Sequence, residues 1–99
     1  MKMYTNSEQT AKLIELGFDK PRIAMPKLGG KNGEPQFHYT IGELIEMLPE
    51  YSSIYDLPNM HTMERCWYVG HISTLNISAD ELIDALYEMV VKLKKEGVI

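Results

Sequence analysis

Residues 78–99, SADELIDALYEMVVKLKKEGVI, decide the fold, because they read as one amphipathic helix that the other segments are arranged to cover. Ser78 is a good N-cap, and Glu81 stands three residues on, where its carboxylate can reach back to the cap N–H. Ile77 and Leu82 flank that cap as a hydrophobic staple. Gly97 predicts the stop, since glycine takes the left-handed conformation after a helix without penalty. Charge runs with the helix dipole: Asp80, Glu81 and Asp84 lie at the positive end, Lys92, Lys94 and Lys95 at the negative end.

On a wheel of about 100° per residue, Ala79, Leu82, Ile83, Leu86, Met89, Val90 and Leu93 share one face. Tyr87 and Val91 carry that face round one side, toward Asp84 and Glu88. The arc is wider than the stripe of roughly 100° that a surface helix needs. Two readings follow. Either the helix packs against two elements at once, or Tyr87 and Val91 mark a contact with another chain.

Three further segments have clear punctuation. Thr5 with Glu8, then Gly17, predicts a helix over 6–16, with Leu13, Ile14, Leu16 and Ala11 as its buried side and Phe18 folded back on Leu13. Thr40 with Glu43, then Pro49, predicts a second helix from Ile41 to about Leu48, with Tyr39 and Leu44 as staple and Ile41, Leu44, Ile45 and Leu48 inside. Residues 65–72 carry Cys66, Trp67, Tyr68 and Val69 and make the best strand. Period-two alternation sets Cys66, Tyr68 and Ile72 against Trp67, Val69 and His71. Residues 54–57 are its candidate hairpin partner, and 22–25 and 36–39 are weaker candidates either side of the Gly-rich turn 29–33.

These elements describe one α+β domain over residues 1–99: three helices packed on a small antiparallel sheet of two or three strands, with the long C-terminal helix central. A sheet that small needs a helix over one face, and the last helix is the obvious cover.

Composition narrows the function classes. Ninety-nine residues are enough for a core without staples. The single Cys66 excludes an internal disulfide framework. No secretory or membrane-length apolar run appears, which predicts a cytoplasmic protein with no membrane partner. A net charge of −4, with no basic cluster beyond residues 92–95, argues against a phosphate-tracking surface and so against nucleic acid. Seven methionines suit core gap-filling or an adaptable binding surface.

Each candidate constellation for chemistry has a structural explanation beside it. Cys66, His38, His61 and His71 lack the paired spacing of metal ligands, and Cys66 serves as a small core hydrophobe. A Cys66 nucleophile with a histidine base would require a triad assembled by the fold, which spacing cannot show. Residues 29–33, GGKNG, run into Glu34 and Pro35, not into the Lys-Ser/Thr of a phosphate loop. Trp67, Tyr68 and Tyr39 could stack on bases, yet only Arg65 supplies a nearby cation. Neither a catalytic set, a metal site nor a cofactor emerges.

Ser7-Glu8-Gln9 leading to Leu13-Ile14-Glu15-Leu16-Gly17 is followed by Tyr39-Thr40-Ile41-Gly42-Glu43-Leu44-Ile45-Glu46-Met47-Leu48-Pro49. With Trp67-Tyr68-Val69, and with Asp80-Glu81-Leu82-Ile83-Asp84-Ala85-Leu86 running on to Lys95-Glu96-Gly97-Val98-Ile99, the series spans most of the chain. It resembles short uncharacterised proteins carried by phages, prophages and other mobile elements of gut Bacteroides-type bacteria. Relatives often carry Trp where Tyr39 stands, and this chain departs there. The resemblance implies a setting, the cytoplasm of a bacterium or phage-infected host, and brings no activity or catalytic residue.

The expectation is therefore a non-enzymatic accessory protein that acts through protein–protein interaction, with another protein or with itself. Tyr87, Val91 and Trp67 are its candidate interface residues. The alternatives from other classes are a small Cys/His-dependent enzyme and a weak nucleic-acid-binding module.

Overall fold

The computed structural model describes residues 2–21, 24–25, 36–58 and 63–99. Among them the chain forms three helices, a three-stranded antiparallel sheet and a separate pair of two-residue strands. The turn expected at 29–33 and His61 lie outside the described residues.

Helix α1 (Ser7–Glu15) starts one residue later than expected. Asn6 is the cap: its side chain accepts the Gln9 N–H at 2.7 Å, and Gln9 Oε1 accepts the Asn6 N–H at 3.0 Å. Thr5 is unavailable for that role because its hydroxyl accepts from the Tyr39 N–H at 3.0 Å and pairs with Thr10 Oγ1 at 2.7 Å. Gly17, at φ +99°, ends the helix as expected, and the Phe18 N–H returns to the Leu13 carbonyl. Of the expected inner residues Leu13 is fully buried, Leu16 is half-buried, and Ala11 and Ile14 are exposed.

Strands β1 (Ala24–Met25) and β2 (Gln36–Phe37) pair antiparallel and lead into helix α2 (Ile41–Met47). The Thr40–Glu43 capping box is present in full. Tyr39 and Leu44 are buried in the core, whereas Ile45, expected inside, is 43% exposed. The starts of α1 and α2 are tied together: Tyr4 bridges Thr40, the Thr5 N–H donates to the Tyr39 carbonyl at 2.9 Å, and buried His38 lies beneath. His38 Nδ1 is 2.7 Å from the Thr5 carbonyl oxygen, an acceptor only, so that nitrogen carries the proton.

The sheet comprises β3 (Ser52–Pro58), β4 (Arg65–His71) and β5 (Thr74–Ala79), in that spatial order. Ile54 pairs with Val69 and Val69 with Ile77, so one face presents an apolar row to the core, with Trp67 and Ala79 beside it. The opposite face carries Tyr55 and Tyr68, stacked at 5.4 Å across the strands. On that face the Asn76 side chain lies over Gly70 and donates to the Tyr55 hydroxyl. A Cβ at position 70 would collide with it, which explains the glycine in the middle of a strand. Ile72 follows in the turn and is 78% exposed.

Helix α3 (Leu82–Lys95) is four residues shorter at its start than the sequence predicts. Residues 77–79 belong to β5, so neither the Ser78 cap nor the Ile77 staple forms. Thr74–Ala79 alternates side chains, and pairing with β4 places Ile77 and Ala79 on the core-facing side. That burial outweighs a surface cap. Glu81 is the N-cap residue without a side-chain cap bond; its Oε2 accepts the Lys2 N–H at 2.8 Å instead. The far end is as expected: Gly97 sits at φ +77°, its N–H bonds the Lys94 carbonyl, and the Val98 N–H bonds the Leu93 carbonyl at 2.9 Å.

α3 rests on β4 and β5 and packs against α2. Leu82, Ile83, Ala85, Leu86, Met89, Val90 and Leu93 are all at most 7% exposed and form most of the core with Leu13, Tyr39, Leu44 and Val69. The α+β class and the central C-terminal helix stand as expected. No helix among the described residues is long and apolar enough to cross a membrane.

Candidate functional site

Tyr87 and Val91, four residues apart on α3, lie on one flank of the helix, beside its buried arc. Both are half-buried and touch the core, in contrast to the fully covered Leu86 and Val90 next to them. With Ile77 of β5 they form the apolar part of a groove of about 440 Å³. Glu88, Lys92, Lys95 and Glu96 of α3 supply its polar lining. Burial raises the Tyr87 phenol above its ordinary pKa, with smaller contributions from the carboxylates of Glu88 and Glu8. The ring therefore stays neutral through the physiological range and presents an apolar body with a hydroxyl tip.

The three residues expected at an interface are not one cluster. Trp67 is half-buried on the core-facing side of β4, opposite Asp56 and Ala79, and packs against the core outside this groove. Ile77 takes the third apolar position. Sequence reasoning assigned Ile77 to a helix staple, and only the β4–β5 register puts it beside Tyr87 and Val91.

The residues considered for chemistry are separated. Cys66 is 5% exposed and lies on the sheet face with Tyr68, away from the α3 side. His71 has both ring nitrogens engaged, Nδ1 with Ser73 Oγ at 2.7 Å and Nε2 with the Glu50 carbonyl at 3.0 Å. His38 serves the joint between α1 and α2. Among the described residues, no group of three or more His, Cys, Asp or Glu side chains could hold a metal ion. Arg65 lies 3.5 Å from Asp56, and its charge is partly matched there.

A second cavity, about 270 Å³, is lined by Phe18, Asp19, Lys20, Tyr39, Glu43, Glu46 and Met47. Its polar groups have structural work: Glu43 completes the α2 cap, and the Tyr39 hydroxyl donates to the Asp19 carbonyl. Burial, then Glu43 and Asp19, raise the Tyr39 phenol above its usual value. The groove on α3 is thus the surface whose apolar residues have the least structural explanation. Comparison with protein-family models, with curated proteins and with solved structures gives no match to this chain.

Proposed function

We propose that the chain is a non-enzymatic accessory protein that works by binding another protein chain through the Ile77, Tyr87 and Val91 groove. One observation carries the reading: on a helix whose inner arc is wholly covered, Tyr87 and Val91 remain half-covered beside Ile77, with charges along the rim. An apolar centre with a charged rim is the anatomy of a protein interface. Tyrosine is also among the residues that most often anchor one. The setting that fits the sequence resemblance is the cytoplasm of a bacterium carrying a phage or mobile element.

A photo-crosslinking amino acid at position 91, introduced in such a host, tests this. The expected result is a discrete cross-linked protein species that is missing when the same group stands at exposed Glu50. If position 91 yields no species beyond that control, the reading fails.

A further inference from the structure

We propose that the occupant of this groove is a second copy of the chain, joined about a two-fold axis that brings the β5 edges together and runs the two α3 helices antiparallel. The proposal rests on the protein-binding reading above and names its partner.

The first observation is the edge itself. β5 pairs with β4 on one side, and no other strand among the described residues pairs with it on the other. Its residues, TLNISA, include no charge, no proline and no glycine. Edge strands ordinarily carry such residues because bare N–H and C=O groups recruit other strands. The single irregularity is a bulge between Thr74 and Ile77, which leaves the register regular from Ile77 to Ala79. The opposite edge of the same sheet is guarded. β3 ends on Pro58 and turns Asp56 inward, on the side of Ile54, with Oδ1 buried.

The second observation is charge. The rim carries two acids, Glu88 and Glu96, and two lysines, Lys92 and Lys95. A two-fold axis makes a surface meet itself, so an interface between copies must be self-complementary. Antiparallel α3 helices bring Glu88 of one copy opposite the Lys92 to Lys95 end of the other, twice by symmetry. A strand added to a bare edge uses main-chain hydrogen bonds, and the neighbouring apolar side chains supply specificity. Ile77, Tyr87 and Val91 lie where those side chains are needed.

Sedimentation velocity of the purified chain tests the proposal over about 1 to about 500 µM, a range that brackets micromolar dissociation constants. The expected result is a reversible monomer–dimer equilibrium. Ser78→Lys, an exposed position on β5, places like charges on both edges and weakens it at least about tenfold. Glu88→Lys or Lys95→Glu alone weakens it by about tenfold, and the double swap recovers to within about threefold. Far-ultraviolet circular dichroism confirms that each variant keeps its helix content.

A wild-type chain that stays monomeric throughout overturns the proposal. So does a dimer that is indifferent to Ser78→Lys, or one that the double swap does not restore. If the chain is monomeric while position 91 still cross-links to a different protein in cells, the second-copy proposal fails and the protein-binding function stands. If neither association is seen, both fail.

Discussion

The two edges of the three-stranded sheet expose the same kind of backbone and carry different side chains. On β3, Pro58 ends the strand and Asp56 points inward, its Oδ1 buried without a hydrogen-bond partner and its Oδ2 3.5 Å from Arg65. On β5 no charge or proline interrupts the edge, and the apolar groove of Ile77, Tyr87 and Val91 lies beside it. A buried, half-paired carboxylate costs stability, so the β3 edge bears a penalty that the β5 edge does not. The difference shows which side of the sheet is built to stay alone and which is left open to a neighbour.

The largest expected effect tests the scaffold that both edges share. Leu86→Ala empties a fully buried position under the sheet and should lower unfolding stability by about 3 kcal/mol. Urea unfolding at low protein concentration measures it, and a loss well below that value would mean that α3 is not the centre of the core.

How far this arrangement could be read from the sequence depends on the range of each signal. The Thr40–Glu43 box and the stops at Gly17 and Gly97 are local, and each appears where the residues put it. Cys66 as a core hydrophobe also follows from residue type. The start of α3 did not follow. Ser78 and Glu81 make a sound local cap, but residues 74–79 pair with a strand whose register the local sequence does not encode. The same limit hid the Tyr55–Tyr68 stack, the clash that requires Gly70, and the move of Ile77 into the groove. His38 had no local signal either, since its partner is the Thr5 carbonyl, thirty-three positions away. At the site, Tyr87 and Val91 were legible as the excess width of a helix face, whereas Trp67 was misplaced because only the register shows it turned to the core.

A second change breaks the asymmetry between the edges deliberately. Asp56→Val removes the inward carboxylate and should raise stability by about 1 kcal/mol in chemical unfolding. It should also make the β3 edge associate, giving species larger than a dimer in light scattering. A variant that gains stability and keeps the wild-type association state would show that Asp56 does not guard that edge.

The smallest effect is alkaline. The phenols of Tyr87 and Tyr39 are raised in the fold, mainly by burial, so the folded chain favours their protonated forms. In the unfolded chain tyrosine loses its proton near pH ~10, so stability is intact below that value and declines as pH rises through the folded pKa values. Tyr87→Phe should flatten part of this decline when unfolding is followed between pH 9 and pH 11, each about one unit from the free value. An unchanged slope would place Tyr87 in water.

The most direct measurement is backbone amide hydrogen exchange on the purified chain, dilute and concentrated, read separately for β5 and β3. The account predicts that edge-facing amides within residues 77–79 slow by at least about tenfold on concentration while those of β3 do not change. Exchange that is independent of concentration on both edges, or slowing on β3 instead, would contradict it.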